Sequence, residues 1–372
     1  MQKRVLILLL SLIFFCGCAS KENEASKQNN TVSLQESSVT AEDEKEISQV
    51  TVTEYPLPKE VAVLEKLELK DMELYADEEQ SMYNSNQLNF GYLTSDVEGN
   101  IYFSDFTQNA IFMCGSEGEN KERIYEGTGT CMYAENGYLY FGAIEPEEKY
   151  IEKVVKIEVS TKEEKSLYKE LCGEIMFLKD TLYLDILGLG SIKLDDAAGK
   201  LVVLSEVEPV FFNSDGRYLL YNMITDESRF LFERGYLLTW DTETETNYFV
   251  ESKMVFPLLA GNWLSFVDLQ TNTRHVLDME TGSDTDLKYS MHHAVSDGHK
   301  LYWAQQDVGR FRVFQWDGTE IEELFVIEKE KYSDVCLYLT EEYLYWMCET
   351  KLMEEAEWGY YRLVDGKSGK LN

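Results

Sequence analysis

Asp297-Gly298-His299-Lys300-Leu301-Tyr302-Trp303 is a turn followed by a short, apolar, aromatic-rich run, and the chain from about residue 88 onward carries seven loose copies of it. The runs are Ile101-Tyr102-Phe103, Leu139-Tyr140-Phe141, Leu182-Tyr183-Leu184, Leu219-Leu220-Tyr221, Leu264-Ser265-Phe266, Leu301-Tyr302-Trp303 and Leu344-Tyr345-Trp346, at steps of 38, 43, 37, 45, 37 and 43 residues. A unit of about 40 residues that holds several strands cannot bury its own faces, so it must stack on its neighbours in a ring. The period therefore predicts an all-β fold, a seven-bladed β-propeller, with six blades as the alternative count. An aromatic content of 13% agrees, because aromatic side chains suit half-buried sheet better than helix.

Each unit reads as four strands. In the first they are residues 90–94, 100–105, 110–115 and 121–125, divided by Gly99, Asn109 and Gly118. Turns of one chemistry recur between the third and fourth strands: Cys114-Gly115-Ser116-Glu117-Gly118, Asp195-Asp196-Ala197-Ala198-Gly199, Asp241-Thr242-Glu243-Thr244, Asp278-Met279-Glu280-Thr281-Gly282 and Asp365-Gly366-Lys367-Ser368-Gly369. An Asp that accepts from backbone N–H groups just ahead of it, followed by Gly at positive φ, is hairpin chemistry. The last unit shows strands at 335–339, 343–349 and 359–364, after which only Lys370-Leu371-Asn372 follow the Gly366-Lys367-Ser368-Gly369 turn. Residues 61–75 alternate apolar and charged, with Leu64, Leu67, Leu69, Met72 and Leu74. They are expected to pair as the outer strand of the final blade and so lock the ring.

The start of the chain has a different character. Met1 to Arg4 is basic and Val5 to Phe15 is apolar apart from Ser11, too short to span a bilayer and of the length of a signal-peptide core. Gly17-Cys18 behind it resembles the lipobox of bacterial lipoproteins, whose cysteine thiol receives a diacylglycerol and begins the mature chain. Cys16 follows the bulky Phe15, so Cys18 is the expected lipidation site. Residues 1–17 are then a lipoprotein signal peptide, 18–60 a disordered acidic and polar tether, and 61–372 the β-propeller closed by an N-terminal strand. The tether has no aromatic before Tyr55 and cannot bury enough apolar surface to offset the entropy of ordering. The resemblance implies a bacterial cell-membrane protein, held on the extracytoplasmic face by fatty acyl chains such as palmitate, two of which anchor stably.

Charge and motifs narrow the function. With 68 acidic and 34 basic residues the net charge is −34, a surface that repels phosphate backbones, so nucleic acid is excluded as a partner. No Gly-x-Ser-x-Gly, His-Glu-x-x-His, phosphate loop or dinucleotide fingerprint occurs, and no cofactor or catalytic residue is assigned. The four histidines are His275, His292, His293 and His299. The His292-His293 pair, on the expected innermost strand of the sixth blade, reads as satisfied channel or inter-blade residues. Asp278, Glu280, Asp284 and Asp286 space carboxylates as a calcium loop could, yet fit no EF-hand and read as a hairpin with solvated acids, so no metal is assigned. Cys114, Cys131, Cys172, Cys336 and Cys348 are odd in number, which argues against a disulfide framework; one bridge is allowed.

Tyr102-Phe103-Ser104-Asp105, with Leu301-Tyr302-Trp303 and Leu344-Tyr345-Trp346 matching in part, resembles the Tyr-Trp-Thr-Asp motif of low-density-lipoprotein-receptor-type propellers and of bacterial lipoproteins that carry one. That family has six blades where this chain counts seven. The resemblance implies a non-catalytic binding or scaffold module that meets a protein or glycan through one rim, with binding residues unassigned. The alternative is a polysaccharide-acting enzyme using carboxylates at the channel mouth.

Overall fold

Every copy of the apolar triplet lies on the second strand of a sheet, and its burial on both faces explains why it is continuously apolar rather than alternating. Leu301 and Trp303 pack toward the fifth blade, while Tyr302 between them packs toward the seventh. A computed structural model describes residues 59–144, 151–194, 199–224, 235–252, 254–289, 293–328, 334–351 and 355–371. These form seven sheets, each with four antiparallel strands that follow chain order from the inside out. The blades begin at Leu93–Ser95, Thr128–Glu135, Ile175–Leu178, Pro209–Ser214, Met254–Ala260, Val295–Ser296 and Asp334–Leu339. The chain is a seven-bladed β-propeller.

Seven apolar clusters hold the ring, one in each gap between neighbouring blades. Burying one large side chain contributes about 1.5–3 kcal/mol, and residues such as Trp303, Tyr221, Tyr345 and Phe141 are wholly enclosed. The five cysteines among the described residues are buried, Cys172 at an isolated bridge to Ile151 and the other four in strands, and none of these five forms a disulfide.

Closure differs from the expectation. The final blade supplies its own fourth strand, Ser368–Lys370, which pairs Ser368 with Tyr361, Gly369 with Tyr360 and Lys370 with Gly359. Gly369 belongs to the strand because the Tyr360 ring occupies the space a Cβ would need, 2.6 Å from its hydroxyl. The N-terminal segment goes elsewhere: Glu65–Lys66 runs parallel to Thr246–Ser252 as a fifth strand on the outer edge of the fourth blade. Beyond it Met72, Leu74 and Ala76 fill the groove between blades four and five, so their alternation reflects burial under a strap rather than sheet. The gap between the seventh and first blades is closed by side chains. Trp358 donates its indole N–H to the Ser104 carbonyl at 2.9 Å and packs on Phe103 at 5.5 Å. Glu117 meets Arg362 at 3.2 Å and also Lys367.

The strap leads into a helix that the sequence reading did not expect. Glu78–Leu88 is capped by Asp77, which accepts the Gln80 N–H at 2.9 Å, and carries Glu78 and Glu79 in its first turn, where the helix dipole favours acids. It occupies the hub of the ring and touches the first strands of all the blades. Its buried face is polar: Ser81, Asn84, Ser85 and Asn86 are almost fully enclosed. A first strand has an unpaired edge toward the hub, and buried backbone groups there need partners. The helix side chains supply them. Asn84 accepts the Ser214 N–H at 3.1 Å and donates to the Ser214 and Leu259 carbonyls at 2.8 and 2.9 Å. Asn86 pairs both ways with Leu339 at 2.7 and 2.9 Å, and Ser85 accepts the Ser296 N–H at 2.8 Å. Gln87 donates to Met132, and the Tyr83 hydroxyl accepts from Phe177. Ser214, Ser296 and Leu339 each end the first strand of their blades, so one helix satisfies equivalent positions around the ring.

Candidate binding site

With the hub filled, the open space lies beside it. A cleft of about 330 Å³ sits where the strap enters the helix, at the end of the ring that carries the turns between first and second strands of blades five and six. Its floor is two glycine turns in close approach. Gly261 has φ +57°, and a Cβ there would stand 2.4 Å from the Gly298 carbonyl oxygen. Ala76 of the strap exchanges both backbone hydrogen bonds with Gly261, at 3.0 and 3.2 Å.

Aromatic and polar side chains line the walls. Tyr75 comes from the strap and is 56% exposed. Trp263, half-buried, opens the second strand of blade five and is steadied by Trp316 with ring centroids 5.0 Å apart. Glu78, Asp278, Asp297 and His299 supply the charge. Asp297 Oδ1 accepts the N–H groups of His299 and Lys300 at 2.8 and 2.7 Å, and its other oxygen accepts from Tyr302. Asp278 Oδ1 accepts from Glu280 and Thr281 at 2.9 and 2.8 Å. Asp297 therefore serves the fold through both oxygens, whereas Asp278 serves its turn through one and keeps the other. His299 and Glu78 meet at 3.1 Å across the mouth.

The structure disperses the other residues singled out by sequence. His275 lies on the third strand of blade five with Nδ1 3.0 Å from Asp284, and Asp286 pairs with Lys288. With Asp278 committed to its own turn, the four acids do not converge on one point. His293 sits beside Phe90, ring centroids 5.9 Å apart, where burial and the neighbouring Arg274 charge lower its pKa to about 4 and keep it neutral. His292, Cys18, the signal peptide, the tether up to residue 58 and residues 195–198 of one repeated turn lie outside the described residues, while the expected end of the tether, Lys59 and Glu60, opens the short helix Lys59–Ala62.

One carboxyl pair does come together. Glu174 stands just before the first strand of blade three and Asp185 ends the second, with the Asp185 N–H on the Glu174 carbonyl at 3.0 Å and the Glu174 and Glu208 charges both acting on Asp185. Burial raises the Asp185 carboxyl to about 8 and that of Glu174 to about 7. Glu174 accepts the Phe211 N–H of blade four at 2.5 Å, and Asp185 the Leu187 N–H at 2.9 Å. Asp185 is 7% exposed, with Gly173 pressed against it. Its geometry is that of a protonated seam between blades rather than of an acid–base pair facing a substrate.

In Tyr102-Phe103-Ser104-Asp105 the residues serve the ring. Ser104 donates to the Gly129 carbonyl of the next blade at 2.6 Å, and Asp105 holds Gln108 in the following turn. No family model matches the chain, and no curated protein matches it by sequence. Among solved structures it is similar to the β-propeller domain of the Trilobed protease from Pyrococcus furiosus, described as having an open velcro topology. The TM-score is 0.51 at 12% identity, covering 76% of this chain and 97% of that one. It is also similar to a chain of the mitotic checkpoint complex, with TM-score 0.51 at 10% identity over 75% and 90% of the two chains. A prolyl endopeptidase gives TM-score 0.50 at 10% identity over 80% and 52%. At such identities the likeness shows the propeller fold alone.

Proposed function

We propose that this protein is a membrane-anchored extracytoplasmic lipoprotein, fastened through Cys18, whose propeller is a non-catalytic binding module using the cleft between the strap and blades five and six. The observation that carries the reading is the filled hub. A propeller otherwise offers its central channel for ligands, and here the helix occupies that space with side chains bonded to the blades around it. The cleft beside it presents an exposed tyrosine and a braced tryptophan with carboxylates on a rigid floor, the composition of a recognition site. The low-density-lipoprotein-receptor resemblance of the repeats and the lipobox resemblance of Gly17-Cys18 support the same address and role.

Two experiments test this. Cys18→Ala is expected to move the protein from the membrane to the medium, and unchanged membrane retention contradicts lipid attachment there. A photoreactive amino acid in place of Tyr75 is expected to capture a neighbour in living cells that the same probe at the remote, exposed Val308 does not. Equal capture at both positions removes the cleft from the proposal.

A further inference from the structure

We propose that the cleft takes sugar rings of an uncharged oligosaccharide; this deepens the reading of the cleft as the recognition site and rests on it. At about 330 Å³ it lies at the small end of ligand pockets, which suits a short stretch of glycan rather than a broad protein face. A pyranose presents a face of C–H groups, which pack on aromatic rings, and a rim of hydroxyls, which need acceptors as well as donors. The cleft supplies both. Tyr75 and Trp263 line it, and Trp316 fixes the Trp263 ring, so little side-chain entropy is lost when a sugar packs there.

The acceptors are carboxylate oxygens that the fold leaves over. Asp278 spends Oδ1 on the N–H groups of Glu280 and Thr281, and Glu78 meets His299 through Oε1. Both residues line the cleft, and their second oxygens remain as strong acceptors for hydroxyl donors. Charge settles the kind of sugar. Three carboxylates line the cleft on a chain of net charge −34, so a uronate or phosphosugar brings repulsion, whereas a neutral hydroxyl donates without adding charge. The gap of 2.4 Å between a Gly261 Cβ and the Gly298 oxygen shows that the two turns are packed as tightly as glycine allows, and the Met279 N–H on the Asn262 carbonyl at 2.8 Å ties the Asp278 turn to that floor.

The test uses the full chain in detergent, titrated by calorimetry and tryptophan fluorescence with neutral tetrasaccharides: cellotetraose, maltotetraose, mannotetraose and chitotetraose. Tetragalacturonate is the acidic control. Saturable binding of at least one neutral sugar is expected, weakened about tenfold by Tyr75→Ala and by Trp263→Phe, with tetragalacturonate binding more weakly by a similar factor. Tyr75 is exposed, so Tyr75→Ala is expected to keep the thermal unfolding of the unaltered protein, and loss of binding at unchanged unfolding reports the site. Absence of binding by every neutral sugar, binding indifferent to both variants, or equal binding of the acidic control overturns the proposal. The photoreactive probe at position 75 separates the two readings: a captured protein with no sugar binding refutes the glycan and keeps the cleft as a recognition site, while neither signal refutes both.

Discussion

Removing the Asn84 amide strips Ser214 of its partners in both directions and leaves the Leu259 carbonyl bare. A buried donor or acceptor left alone costs about 1–3 kcal/mol, so Asn84→Ala is expected to destabilise the protein by about 2–4 kcal/mol. Thermal or urea unfolding checks this, and Asn84→Asp, which keeps the acceptor and loses the donor, should fail as well. Titratable residues give a prediction of their own. Asp185 is raised from an ordinary carboxyl to about 8 and Glu174 to about 7, so each favours the folded state only while protonated. Their contribution is complete below about pH 4 and is lost as pH rises through 7–8. Stability should therefore fall from pH 5 to pH 9, and Asp185→Asn should flatten that slope. Asp241 works in the opposite sense. The bidentate Arg217 holds it down at about 2, so its contribution is present above the usual carboxylate range and fades as pH falls toward 2.

At the scale of elements the strap and the hub helix depend on each other, because Ala76 is tied to Gly261 one residue before the helix cap. Leu74, 2% exposed, anchors the strap between blades four and five. Leu74→Ala is expected to cost about 2–4 kcal/mol and to make residues 64–76 the first point of protease cleavage; cleavage confined to the loops between blades would contradict this. These two elements were also the ones least visible in the sequence. The blade strands announced themselves because Leu301-Tyr302-Trp303 and its copies are apolar on both faces and recur. The helix buries Ser81, Asn84, Ser85 and Asn86, so it has no apolar stripe at helical period, and only Asp77 followed by Glu78 and Glu79 marked its start. In the strap the alternation was real, but alternation shows that one side is buried and not what buries it. The cleft shared this fate: Asp278, Asp297 and His299 were legible as turn residues, while Tyr75 and Trp263 meet them only through the path of the strap.

At the scale of the whole molecule, the described residues form a ring closed without strand exchange. The seventh blade is built entirely from the C-terminal end, the first follows the helix, and Trp358 with Glu117 makes the joint. Trp358→Ala should cost about 3–5 kcal/mol, and because the loss falls at the seam, unfolding should begin by separation of blades one and seven. The helix opposes that opening from inside, since its side chains reach strands on both halves of the circle.

Amide hydrogen exchange at Ser214, Ser296 and Leu339 tests the role of the hub helix most directly. Protection of all three at the level of global unfolding, falling together when Asn84, Ser85 and Asn86 are replaced by Ala, is the predicted result. Exchange at the rates of an open strand edge in the unaltered protein would contradict it, and with it the filled hub from which the proposed binding role is drawn.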